Sequence, residues 1–174
     1  MRISIIGYSA SGKSTFAKTI GEILNIPVLH LDKVNFLPNW IERKKEESKK
    51  IVEDFINNNE KFIIDGNYSK FAYDLRMKIS DKIIFFDFDR ITCLFQAILR
   101  YKEFQGKVRD SMTEGCCEKL DWEFIKWILF NGRSEERVNK YNKLIEEYKD
   151  KIIVLKNRKE VDELLEKIKI NKKI

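Results

Sequence analysis

The chain has little of what secreted, fibrous or membrane-spanning proteins depend on. Two prolines and seven glycines in 174 residues exclude a collagen-like repeat and a low-complexity linker. Three cysteines, Cys93, Cys116 and Cys117, are odd in number and include one adjacent pair. They make no disulfide framework and read as free thiols of a reducing compartment. The single histidine, His30, cannot complete a Cys/His metal cluster. No run reaches the roughly 18–20 apolar residues that cross a bilayer. The N-terminal MRISIIGYSASGKS also lacks a signal-peptide core and cleavage pattern, so a cytoplasmic location is expected.

What is present fits an ordinary globular domain. Hydrophobic residues make up 43% and aromatics 12% of the chain, enough to bury one core, so residues 1–174 are expected to form a single domain. The formal net charge of +6 favours phosphate-bearing partners, nucleotides or nucleic acid. With 36% charged residues of both signs interspersed, a solvated surface is the simpler reading.

Strand-like and helix-like periods alternate along the chain. Apolar runs at 2–6, 28–31, 61–64, 82–86 and 151–155 predict five strands. Helices are predicted from Lys13, over 40–58, 70–78, 91–105, 121–130 and 135–149, and through Val161, Leu164, Leu165 and Ile168. Residues 106–120 carry two glycines and no clear period, and are expected to be a loop. Asn171–Ile174 are expected to fray. Apolar strands separated by helices imply an α/β fold with a parallel sheet and right-handed crossovers. Ligands of such sheets bind beyond the carboxyl ends of the strands. Asp32, Asp65 and Asp87 each end a predicted strand, so all three are expected on the rim that carries the glycine loop.

That loop is Gly7-Tyr8-Ser9-Ala10-Ser11-Gly12-Lys13-Ser14, a full match to GxxxxGK[ST] between a strand and a helix. Its glycines let backbone N–H groups turn inward onto phosphate oxygens, and the helix N-terminus adds a positive dipole end. Lys13 is expected to reach the β- and γ-phosphates of ATP, and Ser14 to bind magnesium. Thr15, the neighbouring hydroxyl, belongs to the same nucleotide-binding segment and is expected to turn toward the fold. Asp65 is the candidate second magnesium ligand, in the manner of a Walker-B carboxylate, and Asp32 the candidate acceptor of a hydroxyl proton or a further aid to the metal. Either carboxylate also suits a loop cap. His30 reads as a packed core histidine.

The order GYSASGKS, HLD, Pro38-x-Trp40, IIDGNY, FDFDR, and then FQGKVRD with EGCCEKLDWEFIKWI, resembles the FlaR-like "DNA topology modulation" family. Those are P-loop proteins related to adenylate kinases, and the resemblance runs to about residue 155. One departure is Cys117, where the family pattern usually has proline. The resemblance implies a three-layer P-loop fold of the nucleoside monophosphate kinase type, with five parallel strands ordered 2-3-1-4-5. It also implies an acceptor-binding insert at about 33–60, a helical lid at about 100–135, and ATP as phosphoryl donor.

Phosphoryl transfer needs fixed positive charge around the migrating group, for which arginine is suited. Arg100 and Arg109 flank the 106–120 loop and are the catalytic candidates beside Lys13 and Asp32. Arg90, in FDFDR, is expected by analogy with adenylate kinases to pack on adenine. Arg133 and Arg137 lie at the far edge of the lid. Arg43 and Arg76 stand where clamps for an acceptor phosphate would be, and Asn67 follows Asp65 as a further acceptor contact. Arginine clamps point to a nucleoside monophosphate, whereas Asp32 points to a hydroxyl. The expected acceptor is a nucleotide or nucleoside. The rival readings are an ATP-switched nucleic-acid-binding regulator and an NTPase without a small-molecule acceptor. The chain has no helix-turn-helix signature, RNP aromatics or zinc module that would favour the regulator.

Overall fold

The computed structural model describes residues 1–172 and 174. Lys173, within the terminal segment expected to fray, lies outside the described residues. The elements in chain order are β1 (Arg2–Gly7), α1 (Lys13–Leu24), β2 (Val28–His30), α2 (Leu31–Asn35), β3 (Phe36–Leu37), β4 (Ile41–Glu42), α3 (Lys45–Asn58), β5 (Phe62–Asp65) and α4 (Tyr73–Ile79). They continue with β6 (Lys82–Phe86), α5 (Arg90–Glu103), α6 (Trp122–Leu129), α7 (Glu135–Glu147), β7 (Ile152–Leu155) and α8 (Arg158–Asn171). Short 3₁₀ turns occupy Pro38–Trp40 and Asn131–Arg133.

Five strands form one parallel sheet in the order β2-β5-β1-β6-β7. Counting only the strands of this sheet, the order is 2-3-1-4-5, as expected. Along β5, Ile63 joins the larger core cluster while Phe62 and Ile64 join a second one with Val52 and Ile56 of α3. Neighbouring residues of a strand point to opposite faces, so β5 is buried on both. The helices carry their own start signals. Asp89 accepts from the Ile91 and Thr92 amides at 2.9 Å. Asp121 accepts from Phe124 N–H at 2.8 Å. Asn157 accepts from Glu160 N–H at 3.0 Å while Glu160 accepts from Lys156 N–H at 2.7 Å, a reciprocal cap.

The segment between β2 and α3 departs from expectation. A helix over 40–58 was predicted, yet α3 begins only at Lys45. Before it, β3 and β4 pair antiparallel as a short ribbon, Phe36 with Glu42 and Leu37 with Ile41. Pro38 cannot donate to a helix ladder, and Asn39 and Trp40 both adopt φ near +63°; together they turn the chain back on itself. Asp32 does not end the strand but sits in the first turn of α2, two residues past the end of β2 at His30.

Candidate active site

The carboxyl ends of the central strands meet at one rim, with His30 in register beside Asp65 and Asp65 beside Ile5. Outside that rim lies a cavity of about 1020 Å³. The phosphate loop is one wall. Gly7 has φ of 138°, and a Cβ there would collide with the Phe86 backbone. Gly12 has φ of 90° and opens α1 in the left-handed region, which only a residue without a Cβ enters without strain. Asn67 pins the loop from the next strand's exit: its side-chain oxygen accepts from Gly7 N–H at 2.8 Å, and its amide donates to the Gly7 carbonyl. Asn67 thus braces the nucleotide loop as well as lining the cavity.

Lys13 donates to the Tyr8 carbonyl at 2.5 Å and to Ser11 Oγ at 3.4 Å. Burial pushes its ammonium pKa down, against the nearby Asp65 and Asp32 carboxylates. Ser11 is fully buried and donates to the same carbonyl at 2.7 Å, so its hydroxyl braces the loop from behind. Ser9 Oγ accepts from Trp127 Nε1 at 3.0 Å, which ties α6 to the loop. Ser14 and Thr15 line the cavity with Ala10 and Gly12. Thr15 is exposed and does not turn toward the fold, because Phe16, Ala17 and Ile20 take the buried face of α1.

Two carboxylates face Lys13 from the far side. Asp65 is buried at 4% exposure. His30 Nδ1 lies 2.9 Å from its Oδ2, and its Oδ1 has no protein partner. His30 therefore belongs to the cavity wall and not to the packed core. Asp32 accepts from the Tyr68 hydroxyl at 2.8 Å. Burial, and then the charge of Asp65, hold its carboxyl above the usual carboxylate range, with the Tyr68 bond, Arg109 and Lys13 opposing. Asp87 is away from the cavity, its amide bound to the Leu155 carbonyl at 2.8 Å, so two of the three strand-end aspartates converge.

The arginines divide sharply. Arg100 and Arg109 both line the cavity and share one buried carboxylate, Glu118. Arg100 Nε and Nη2 reach its Oε1 at 2.8 and 2.7 Å, and Arg109 Nε reaches Oε2 at 2.6 Å. Arg137 lies over the Trp127 ring at 4.6 Å and also lines the cavity. Arg133 is spent inside, donating to the Phe88 carbonyl at 2.6 Å and lying 3.6 Å from the Tyr8 ring centre. Arg90 is exposed on the first turn of α5 and does not line the cavity. In its stead Arg158, at the start of α8, lies against Gly12.

Both expected acceptor clamps are committed elsewhere. Arg43 donates to the Val34 carbonyl at 2.9 Å and holds α2 to the ribbon. Arg76 is fully buried and donates to the carbonyls of Phe71, Gly66 and Tyr68 at 2.9, 3.1 and 2.8 Å. Burial pushes its guanidinium down to about 10. It organises the 66–71 turn that presents Asn67 and Tyr68. Replacing Arg76 with methionine strands one buried and two part-buried carbonyl partners, and a stability loss of about 3 kcal/mol is expected in chemical denaturation.

The 104–121 segment crosses from α5 to α6 and rests on the ribbon. Thr113 donates to the Phe36 carbonyl at 2.6 Å, Cys116 Sγ to the Leu37 carbonyl at 3.3 Å, and Trp40 Nε1 to the Cys117 carbonyl at 3.2 Å. Lys18 of α1 pairs with Asp110 of the same segment. All three cysteines are free.

Helices and a parallel sheet in this order, with a phosphate loop at the first strand–helix turn, match solved structures. Shikimate kinase from Acinetobacter baumannii in complex with shikimate superposes with a TM-score of 0.55 at 13% identity, covering 96% of this chain and 89% of that one. Shikimate kinase from Bacteroides thetaiotaomicron gives 0.53 at 16% identity over 98% and 96%. The enzyme from Aquifex aeolicus gives 0.51 at 24% over 98% and 95%. The chain has the P-loop kinase fold. No protein-family model and no curated protein matches it, so the fold-level likeness does not single out the FlaR-like branch.

Sequence reasoning missed Tyr68, Glu118, Trp127 and Arg158. Tyr68 was within reach, since it follows Asp65 in DGNY on the same rim. Glu118 had no spacing signal, because its partners are 18 and 9 residues away across an irregular loop.

Proposed function

We propose that the protein is an ATP-dependent phosphotransferase that moves the γ-phosphoryl group of ATP onto a hydroxyl of a small acceptor. The observation that carries this reading is that Lys13 and Asp32 line one cavity, while neither expected acceptor clamp, Arg43 or Arg76, is among its lining residues. The phosphate loop takes the donor. Asp32, held above the usual carboxylate range by burial, is a stronger base than an ordinary aspartate and suited to receive the hydroxyl proton. Arg100 and Arg109 supply positive charge beside the transferring group. The likeness to shikimate kinases, one holding its small-molecule substrate, supports an acceptor of that size.

Magnesium fits the site. Among the described residues no group of three or more His, Cys, Asp or Glu side chains is placed to hold a metal. The buried Asp65 Oδ1 without a partner and the Ser14 hydroxyl are the ligands a nucleotide-borne cation would use. When bound, the cation neutralises phosphate charge.

Glu118 holds two like-charged arginines together at the cavity wall. Glu118→Ala is expected to lower kcat by about tenfold to a hundredfold with a smaller change in the KM for ATP. Glu118→Gln, which retains hydrogen-bond acceptance, is expected to recover part of the loss. Equal KM and kcat effects in both variants would contradict the assignment.

Coupled assays with ATP, magnesium and either unphosphorylated hydroxyl compounds or nucleoside monophosphates test the proposed reaction. Transfer to a hydroxyl compound is expected. Transfer confined to nucleoside monophosphates would contradict the role of Asp32.

A further inference from the structure

We propose that Trp40, with Phe36 and Tyr68, forms an aromatic wall that selects an acceptor bearing a planar ring, of the nucleoside type. This rests on the phosphotransferase reading above and names the acceptor class for that same site.

The backbone at Trp40 is the first observation. Asn39 and Trp40 both lie at φ near +63°. Asparagine tolerates the left-handed region, but the Cβ of a bulky residue crowds its own carbonyl there. Such strain persists only where surrounding contacts impose it, and it concentrates at ligand-binding positions.

At Trp40 those contacts come from Phe36 and the 104–121 segment. Trp40 N–H donates to Cys116 Sγ at 3.4 Å, and its indole N–H donates to the Cys117 carbonyl. Its ring meets Phe36 edge-on at 5.1 Å, and the Lys119 ammonium lies 5.1 Å from the ring centre. The 104–121 segment therefore fixes the indole in a conformation its own backbone disfavours.

Phe36, Trp40 and Tyr68 line the same cavity as Asp32. Tyr68 holds Asp32 through its hydroxyl, and its ring is stacked on Phe71 at 5.0 Å and 16°. Asn35, 7% exposed, lines this end too. Its side-chain amide makes no hydrogen bond among the described residues, leaving both a donor and an acceptor. Planar rings stack on aromatic side chains whatever their substituents, and an amide reads the edge of a base by paired hydrogen bonds. A phosphate at this end would meet Asp32, Glu42 and Asp65, and the arginine that Asp32 feels most, Arg109, is already paired with Glu118. The acceptor that fits brings a hydroxyl to Asp32 and a flat ring to Trp40.

The test is calorimetric binding of the four ribonucleosides, shikimate and myo-inositol to the whole chain. It is run with magnesium and a non-hydrolysable ATP analogue, on wild type, Trp40→Leu and Trp40→Phe. At least one ribonucleoside is expected to bind more tightly than either non-planar polyol. Trp40→Leu is expected to weaken it about tenfold or more, Trp40→Phe to restore most of that, and the analogue's affinity to stay within about twofold. Should the leucine variant fail to fold, Phe36→Leu carries the same comparison. Tighter binding of shikimate or myo-inositol, binding of neither class, or equal weakening of both classes would overturn the proposal. Phosphorylation of a polyol without ribonucleoside binding would sink the aromatic wall and leave the phosphotransferase reading standing. Ribonucleoside binding without transfer would sink that reading instead.

Discussion

Replacing Lys13 with alanine is expected to lower phosphoryl transfer by about a thousandfold or more while leaving the fold intact. Lys13 is the one ammonium of the phosphate loop itself, and the Arg158 guanidinium that lies against Gly12 comes from α8. Removing Lys13 does not orphan the loop. The Tyr8 carbonyl that Lys13 contacts keeps its hydrogen bond from Ser11 Oγ, and Asn67 still holds both polar groups of Gly7. Burial disfavours the charged form of Lys13, so alanine there is expected to leave the melting temperature unchanged or raise it. Loss of transfer with a lowered melting temperature would point to a structural lysine and contradict the assignment.

Asp32→Asn is expected to be the second large effect, lowering kcat/KM by about a hundredfold or more. The amide oxygen can still accept from the Tyr68 hydroxyl, so the geometry survives while the proton acceptor is lost. The sign of the pH dependence follows from the raised carboxyl. The working carboxylate is populated only above that raised pKa, so the acid limb of kcat/KM for the wild type lies above the ordinary aspartate value of about 3.9. In the Asn variant that limb is absent and the residual rate is flat across it. The stability effect runs opposite to that of an ordinary surface aspartate. A native carboxyl that holds its proton more tightly than the unfolded chain does favours folding below the unfolded pKa and loses that contribution as pH rises through the native one. At neutral pH the Asn variant is therefore expected to be as stable as wild type or more so, checked by urea unfolding. An Asn variant that keeps the wild-type rate would remove Asp32 from the chemistry.

The sequence carried the scaffold well because its signals are local. The phosphate loop sits between an apolar run and an amphipathic helix, and the strand-end residue Asp65 follows from where its run stops. The five sheet strands appear where the periodicity placed them, in the order implied by the resemblance. The ribbon at 36–42 was hidden because its two strands are only two residues each, too short for any period, and its turn rests on a left-handed tryptophan that propensity would not place there. The arginines show a different limit. Position in the sequence offered Arg43 and Arg76 as acceptor clamps, yet neither lines the cavity, and only three dimensions reveal that they donate to backbone carbonyls instead. Conversely Arg100 and Arg109 owe their shared orientation to Glu118, a pairing that depends on the path of an irregular segment. Local pattern tells where a charged side chain starts, and packing decides whether its charge is free.

That the chain is a phosphotransferase is tested most directly by following the γ-phosphoryl group of labelled ATP. The protein is incubated with magnesium and a panel of nucleosides, nucleoside monophosphates and hydroxylated metabolites, with Lys13→Ala as control. The label is expected to move onto the hydroxyl of one acceptor class, faster than it appears as inorganic phosphate, and to stay on ATP in the Lys13→Ala variant. Release to water at the same rate with and without every acceptor would contradict the account and favour an NTPase.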